Sequence, residues 1–293
     1  MSLSGKTCLI TGANSGLGFA TAKQLAGLGA KVVMVCRSME KGKDAAGRIM
    51  QEVPDASLEL MLCDLSSLDS IAGFIDVFRK THTKLDLLFN NAALMKRKRE
   101  LTSDGLEMMF QVNYLAPVIL TLSLLDLLKD SSPSRIVNIA VPPQKMRLDF
   151  ENLQLYGNYN GFDAFFRTKL PLLLFSLELS KKMAGTGVTV NITDPGPGKF
   201  KSNITREIPK FLAWMVDLFA IPADKAAETI VYLASSEEVA EKTGCLYSGK
   251  KEAPLIPYWE DASDRERLWT YTVQLLESKK ISIPGIDPKT SLV

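Results

Sequence analysis

The 293-residue sequence has one histidine, four cysteines and no apolar run of the length needed to cross a bilayer, which is about 20 residues. The cysteines, Cys8, Cys36, Cys63 and Cys245, are far apart, and no pair has metal-ligand spacing. We therefore predict no metal site. We interpret the cysteines as small hydrophobic residues in a reducing compartment, the cytoplasm. The first residues lead straight into a strand-like run, so neither a signal peptide nor an anchor helix is predicted.

Charge is nearly balanced, with a formal net charge of +2. Such a balance favours neither nucleic acid nor an acidic partner. The basic run 96–99 is short and ends at Glu100. We interpret it as a solvated loop, with a phosphate or membrane contact as the alternative. His82 lies in a loop before the fourth predicted strand, and we expect an ordinary surface residue there.

Strand-like and helix-like segments alternate along the first two thirds of the chain, as in "KTCLIT", "GLGFATAKQLAGLG" and "KVVMVCR". Continuous apolar strands separated by helices predict an α/β fold with a parallel sheet covered on both faces. No repeat or low-complexity linker interrupts the chain, so we predict a single domain over 1–293. A very apolar stretch around 200–225 is interpreted as a substrate lid, with a membrane-touching patch or core packing as alternatives. Residues 257–293 are predicted to form a C-terminal helical tail.

A glycine-rich turn, "TGANSGLG", follows the first strand and opens the first helix. Glycines at this point let the chain turn sharply and let main-chain N–H groups approach a pyrophosphate at the positive end of the helix. Because the turn has a strand before it and a helix and second strand after it, the pattern indicates a dinucleotide site. The residues predicted to bind the cofactor here are Gly12, Ser15, Gly16, Leu17 and Gly18.

The end of the second strand carries no acidic residue, but reads "VCRS". A carboxylate there would bind the ribose 2′-hydroxyl of NAD and repel a 2′-phosphate. Arg37 instead offers a fork of donors suited to phosphate, and Lys41 is near it in sequence. We therefore predict that the cofactor is NADP(H).

Taken together, the motifs resemble those of the short-chain dehydrogenase/reductase family, from residue 5 to about residue 250. The details "MVCRS", "NLQ", "TSDGLE" and "SGKKEAP" look most like its retinol-dehydrogenase-like branch, which acts on lipophilic carbonyls and alcohols. The motifs that carry the family resemblance are the turn from Thr11 to Gly18, Asp64-Leu65, "NNAA" at 90–93, Asn113, Lys169 and Pro195-Gly196.

The resemblance implies a Rossmann-type doubly wound sheet, with NADP(H) lying along the carboxyl ends of its strands. It also implies a homodimer. Asp64 would lie near the adenine, Leu65 would belong to the same cofactor-binding motif, and Asn91 and Ala92 would line the cofactor. Lys169 would bond the nicotinamide ribose, while Pro195 and Gly196 would pass over the nicotinamide. Asn113 would support a water relay to the lysine.

Two hydroxyl groups of the family's catalytic site are missing. The serine that would hold the substrate oxygen aligns with Val141, and the tyrosine that would exchange its proton aligns with Phe165. Asn113 and Lys169 remain. General acid–base catalysis typically contributes a factor of about 10²–10⁴, so ordinary alcohol–ketone chemistry should be very slow. Tyr159, Asp163 and Lys145 are the alternative proton sources that lie near in sequence.

Three functions stay open from the sequence. The first is an atypical NADP(H)-dependent oxidoreductase that delivers hydride to a lipophilic iminium or activated C=C bond. The second is a pseudoenzyme that binds NADP(H) and recognises a partner. The third is non-redox catalysis, such as cyclisation or isomerisation, in a lipophilic pocket.

Overall fold

The computed structural model of this protein describes residues 2–140, 143–194, 222–281 and 283. A β-sheet forms the centre of the domain. Within these residues the sheet has eight strands in the order β3-β2-β1-β4-β5-β6-β7-β8. The strands are Thr7–Thr11 (β1), Lys31–Cys36 (β2), Ser57–Leu62 (β3), Leu87–Asn90 (β4), Ser134–Ile139 (β5), Val188–Asp194 (β6), Leu246–Ser248 (β7) and Lys251–Ala253 (β8). Strands β1 to β7 are parallel, and β8 pairs antiparallel with β7 at the edge.

Helices connect the strands and cover both faces of the sheet. They are Gly16–Gly27 (α1), Met39–Glu52 (α2), Leu68–Thr81 (α3), Met108–Phe110 (α4), Ala116–Ser123 (α5), Leu125–Asp130 (α6), Gly161–Lys182 (α7), Ala223–Ser235 (α8), Pro257–Glu260 (α9) and Ala262–Ser278 (α10). The alternation predicted from the sequence is confirmed, because each of the strands β1 to β5 is followed by a helical crossover that leads to the next parallel strand.

Two hydrophobic cores lie on opposite faces of the sheet. Side chains alternate across a strand, so Leu9 of β1 joins the core that contains α3, α5 and α7. Its neighbours Cys8 and Ile10 join the core that contains α1, α2 and α8. This arrangement confirms the predicted single α/β domain with a Rossmann-type parallel sheet. The strand order reverses between β1 and β4, where such sheets bind their ligands.

The apolar run "LEMMFQVNYLAPVILTLSLLDLLKD" has a helical pattern throughout, but its helix is interrupted. A π-helical turn at Gln111–Leu115 separates α4 from α5, and the Ala116 N–H donates to the Gln111 carbonyl five residues earlier. Pro117 has no N–H to donate to the carbonyl of Asn113, which removes one α-helical hydrogen bond at this point. The wider turn accommodates that loss and contains Asn113.

His82 was expected at the surface, and this expectation is wrong. The residue is only 6% exposed, and its ring stacks on Phe78 with the ring centroids 4.3 Å apart. Its Nε2 atom lies 3.2 Å from an oxygen of Glu59. The flat imidazole is buried because it covers the phenyl ring at the end of α3, while its polar edge reaches a carboxylate.

The predicted C-terminal features are only partly covered by the described residues. The tail 257–293 is helical at α9 and α10, and residues 284–293 lie outside the described part. Of the predicted lid 200–225, residues 200–221 lie outside it, and Pro222 precedes the first turn of α8. None of the described helices combines the length and hydropathy required to cross a membrane.

Candidate functional site

The glycine turn joins β1 to α1 at the point where the strand order reverses. Gly12 and Gly16 have φ angles of 68° and 55°, in the left-handed region that glycine adopts without strain. A Cβ atom on Gly18 would collide with the side-chain amide of Asn91 and with the carbonyl of Gly12. The absence of a side chain at position 18 is therefore what allows α1 to start so close to β1 and β4.

The N-terminus of α1 is left without a side-chain cap. Ser15 occupies the N-cap position, but its side chain makes no capping hydrogen bond, and no acidic residue lies in the first turn. The free N–H groups and the positive end of the helix dipole are suited to an anion such as a phosphate. Leu17 is buried and anchors this turn in the core.

Asn91 and Ala92 are fixed to the glycine turn through Thr11. The main-chain N–H groups of Asn91 and Ala92 donate to Thr11 Oγ1 over 3.1 and 3.0 Å. The Asn91 side chain donates to the Thr11 carbonyl over 2.8 Å. The structure therefore brings these two segments, 80 residues apart in sequence, to one point at the carboxyl edge of the sheet.

Arg37 and Asp64 follow the adjacent strands β2 and β3. The Cys63 N–H donates to the Cys36 carbonyl over 3.0 Å, which places the two following residues at the same edge. Arg37 is exposed. One oxygen of Asp64 accepts hydrogen bonds from the main chain and the side chain of Ser66, at 3.0 and 2.6 Å.

Lys41 and Leu65 differ in how they are placed at this edge. The Lys41 side chain is exposed on the first turn of α2, and its N–H donates to the Ser38 side chain that caps the helix. Leu65 is buried in the core, at 8% exposure. The side chain of Lys41 is therefore exposed, like that of Arg37, whereas the side chain of Leu65 packs into the protein.

Asn113 connects three parts of the candidate site. Its side-chain oxygen accepts from the Leu94 N–H over 2.8 Å, and its Nδ2 donates to the Leu94 carbonyl over 2.9 Å. The same Nδ2 donates to Thr168 Oγ1 over 3.1 Å. Asn113 is fully buried and holds the segment after "NNAA" beside α7, directly next to Lys169. No separate signal in the sequence predicts the role of Thr168.

Lys169 is a buried amine at the carboxyl end of β5. Its Nζ donates to the Ile139 carbonyl over 3.0 Å, and the residue is only 4% exposed. Burial lowers the pKa of Lys169 from 10.5 to about 8, because the charged form loses its hydration. Within the described residues no carboxylate forms an ion pair with it.

Phe165 lies one helical turn before Lys169 on α7. The Lys169 Nζ lies 5.7 Å from the centre of the Phe165 ring. The ring is half-buried and packs against a small buried cluster of Met109, Leu155 and Ala164, as do Leu94, Met95 and Tyr159. A phenyl ring beside the lysine is thus an apolar wall that donates no proton. Val141, Pro195 and Gly196 lie outside the described residues.

The three alternative proton sources make other contacts. The hydroxyl of Tyr159 donates to the buried carboxylate of Glu107 over 2.9 Å, and burial raises the pKa of Tyr159 well above its usual range. Asp163 is exposed and accepts from Arg167 over 2.6 Å, and Lys145 is exposed. None of the three contacts Lys169 within the described residues, so none forms a direct proton path to it.

Glu107 was not recognised from the sequence as a distinct site. It is fully buried, and one of its oxygens accepts from the Phe110 N–H over 2.6 Å. Burial raises the pKa of Glu107. These contacts cap α4 and hold Tyr159, which is a structural role. No group of three or more histidine, cysteine, aspartate or glutamate side chains that could hold a metal ion occurs in the described part of the chain.

Known proteins provide an independent comparison. The family model described as short chain dehydrogenase matches residues 6–212. Retinol dehydrogenase 14 of Mus musculus is 38% identical over 283 residues, which cover 90% of this chain and 84% of that protein.

Two solved structures share the architecture. The crystal structure of an uncharacterised protein from Mycobacterium Paratuberculosis superimposes with a TM-score of 0.75 at 28% identity, covering 97% of this chain and 96% of the other. The Pseudomonas aeruginosa RhlG/NADP active-site complex has a TM-score of 0.67 at 25% identity, with 84% and 95% covered. The strand order, the glycine turn and these matches lead to one conclusion: this chain belongs to the short-chain dehydrogenase/reductase family, in its retinol-dehydrogenase-like branch.

Proposed function

We propose that this protein is an NADP(H)-dependent oxidoreductase that acts on a lipophilic small molecule without the family's serine and tyrosine. The observation that carries the proposal is the pairing of Phe165 with Lys169. The amine and Asn113 are held in place by buried hydrogen bonds, while an apolar ring stands where the family has its proton donor.

Several residues fit a dinucleotide phosphate. The uncapped N-terminus of α1 offers N–H groups to the pyrophosphate, and the missing side chain of Gly18 lets the helix start close against Gly12 and Asn91. Arg37 would hold the 2′-phosphate with Lys41 beside it, Asp64 would face the adenine, and Lys169 would bond the ribose. When bound, the cofactor supplies or accepts a hydride at the nicotinamide. The NADP complex of the structural relative RhlG supports a nicotinamide cofactor for this chain.

The chain's own groups restrict the type of hydride acceptor. An iminium ion or an activated C=C bond accepts a hydride without a phenol to protonate a developing alkoxide. The half-buried Phe165 ring, together with Leu94 and Met95, offers such a substrate an apolar wall. The name of the relative retinol dehydrogenase 14 also supports a lipophilic substrate.

A pseudoenzyme that binds NADP(H) is the second candidate. It is favoured by the contacts of Tyr159 and Asp163, whose side chains are directed to Glu107 and Arg167. In that case the cofactor would stabilise the fold for a partner and would not be consumed.

The test is NADPH consumption by the purified protein, followed by absorbance, with a lipophilic iminium, a conjugated enal and a saturated ketone. We expect turnover with the first two and background rates with the ketone. A protein that binds NADPH tightly and consumes none with any acceptor would support the pseudoenzyme instead. Product analysis by mass spectrometry identifies the bond that received the hydride.

Replacing Arg37 by Asp should reverse the cofactor preference. The wild-type protein should bind NADPH at least about tenfold more tightly than NADH, because the guanidinium forms charge-assisted bonds to the 2′-phosphate. The carboxylate would repel that phosphate and accept from the ribose hydroxyl of NADH. Calorimetry with both cofactors measures the change. Lys80→Asp on α3 adds the same charge change elsewhere and should leave the preference unaltered, and equal wild-type affinities would contradict the role of Arg37.

The homodimer and the cytoplasmic location remain predictions. The apolar helices on which the homodimer prediction rests are present, but the residues of α5 are buried within the domain core and offer no face to a partner.

A further inference from the structure

The C-terminal helix α10 packs on the same face of the sheet as the π-helical turn that contains Asn113. Leu268 and Leu276 of α10 are buried in the core that also contains α3, α5 and α7. The Trp269 ring stacks on that of Phe175 in α7, with the ring centroids 5.6 Å apart. The helix is therefore packed against the elements that hold the candidate site.

One hydrogen bond joins α10 directly to the π-helical turn. The hydroxyl oxygens of Tyr114 and Thr272 lie 2.5 Å apart, and both residues are buried. Thr272 Oγ1 also donates to the Leu268 carbonyl over 2.7 Å, so its own proton is used there. Burial raises the pKa of Tyr114 above its usual range, so this hydroxyl keeps its proton. Tyr114 is therefore the donor and Thr272 the acceptor of a bond that joins residues 158 positions apart.

A second connection reaches the same turn at its first residue. Lys279, the C-cap of α10, donates from Nζ to the Asp104 carbonyl over 2.6 Å. The Asp104 carboxylate accepts from the Gln111 side-chain amide over 2.7 Å, and Gln111 is fully buried. The Gln111 carbonyl accepts the Ala116 N–H that closes the π-helical turn. The end of α10 is thus linked through Asp104 to the residue whose carbonyl closes the turn.

Asn113 lies between the two residues that these connections hold. Gln111 is two positions before it, and Tyr114 directly follows it. A π-helical turn contains one residue more than an α-helical turn, so moving the turn along the chain would redirect the side chains within it. Both connections to α10 oppose such a movement, because the bonded side chains would have to leave their buried partners.

We propose that Tyr114 and Thr272 are positioning residues: with the Lys279 connection, they let α10 fix the π-helical turn and so direct the side chain of Asn113. The effect on turnover rests on the proposed oxidoreductase function, whereas the effect on the position of Asn113 does not. The C-terminal helix would then belong to the machinery of the site, although its own residues need touch neither substrate nor cofactor.

Hydrogen exchange of the Leu94 N–H, followed by NMR, reports the position of Asn113 without cofactor or substrate. This N–H donates to Asn113 Oδ1 over 2.8 Å. Tyr114→Phe removes the bond to Thr272 and keeps the ring, and we expect the Leu94 N–H to exchange about fivefold faster, as the loss of one ordinary hydrogen bond predicts. The increase should exceed any increase at the Val33 N–H, which lies in the buried strand β2 between two neighbouring strands and reports global unfolding.

Thr272 offers a conservative variant and a disruptive one. Thr272→Ser keeps the hydroxyl, so Leu94 should exchange at the wild-type rate. Thr272→Val leaves the Tyr114 hydroxyl buried without this acceptor, so its effect should exceed that of Tyr114→Phe. The matched control is Tyr232→Phe, which removes the hydrogen bond of a different tyrosine, that to Glu238, and should leave Leu94 unchanged.

The second connection is tested with Lys279→Met, which removes the donor to the Asp104 carbonyl. Leu94 exchange should rise, and it should rise further when the change is combined with Tyr114→Phe. Lys181→Met, at an exposed position of α7, is the control and should have no effect. A wild-type rate in Lys279→Met would overturn the part of the inference that concerns this connection.

Turnover is measured separately, with an acceptor that the wild-type protein reduces. Tyr114→Phe should lower kcat about fivefold and leave the KM for NADPH within about twofold, because the cofactor contacts are not changed. A wild-type protein that consumes no NADPH would contradict the proposed function, while the exchange rates would still decide the positioning. Unchanged Leu94 exchange in Tyr114→Phe, an equal rise at Leu94 and Val33, or an equal effect of Tyr232→Phe would overturn the inference.

Discussion

Phe165→Tyr should raise the reduction of lipophilic aldehydes by NADPH by a factor of about 10²–10⁴ over a near-background rate. The new hydroxyl would extend from a half-buried ring that already lies beside Lys169, with 5.7 Å between Nζ and the ring centre. A nearby ammonium favours the phenolate and lowers the pKa of the tyrosine towards neutrality. The measurement is the initial rate of NADPH oxidation with retinal as the aldehyde.

The pH profile of this variant gives a second measure of the same pairing. The pKa of Lys169 is lowered to about 8, so the amine is charged below that pH and increasingly neutral above it. The help that the ammonium gives to the phenol should therefore decline as the pH rises above about 8.

Phe166→Tyr is the matched control for this experiment. Phe166 is the next residue on α7, with its ring centre 5.5 Å from that of Phe165, and it is also half-buried. A hydroxyl there should leave the rate unchanged. If the unmodified protein reduces retinal efficiently, and Phe165→Tyr has no effect, another group carries the proton and the proposed role of position 165 is wrong.

The serine position can be tested on the same background. Val141→Ser would restore the second hydrogen bond to the substrate oxygen, and the two hydroxyls act on one atom. The double variant should therefore exceed either single variant by at least about tenfold. A double variant that is folded and binds NADPH but stays inactive would indicate that the pocket has diverged. The pseudoenzyme or a non-redox reaction would then be favoured.

The sheet could be predicted from the sequence because parallel strands are buried on both faces and read as continuous apolar runs. The first residues of α2 and α3 were predictable because a serine precedes each helix as its N-cap, Ser38 and Ser67. The π-helical turn at Gln111–Leu115 was not predictable, since an apolar run around a proline has the same pattern with or without it. His82 was expected at the surface because its burial depends on Glu59, which is 23 positions away in sequence, as well as on the neighbouring Phe78.

The sequence predicts the chemistry of the candidate site, which stays a prediction, but it does not predict the contacts that hold the site residues in place. The glycine spacing predicts a turn that binds the pyrophosphate, and Arg37 predicts a site for the 2′-phosphate of NADP(H). The hydrogen bonds that fix Asn91 to Thr11 and Asn113 to Thr168 join residues that are 80 and 55 positions apart. Contacts of such separation depend on the strand order, which a single sequence does not specify. The hydrogen bond from Tyr159 to Glu107 likewise joins residues that are far apart in sequence, by 52 positions.

Lys169→Met should stabilise the cofactor-free protein near pH 7 while weakening NADPH binding by at least about tenfold. Burial lowers the pKa of Lys169 from 10.5 to about 8, so holding the charged amine in the folded state costs about 3 kcal/mol. Methionine removes that cost and keeps most of the apolar contacts. It also removes the hydrogen bond to the Ile139 carbonyl, which is worth about 1–2 kcal/mol. The expected net gain in unfolding free energy is about 1–2 kcal/mol.

The sign of the pH dependence distinguishes this explanation from better packing alone. Below about pH 8 the amine is charged in both states, and the folded protein bears the full cost. Between about pH 8 and the unfolded value the unfolded state binds more protons, so the Lys169 contribution to wild-type stability improves as the pH rises. The advantage of Lys169→Met, measured by urea unfolding without cofactor, should therefore shrink towards about pH 10. Lys181→Met, at an exposed position of the same helix, should show neither effect. A variant that is less stable than wild type near pH 7, or an advantage that is constant with pH, would show that the buried amine is not the source of the cost.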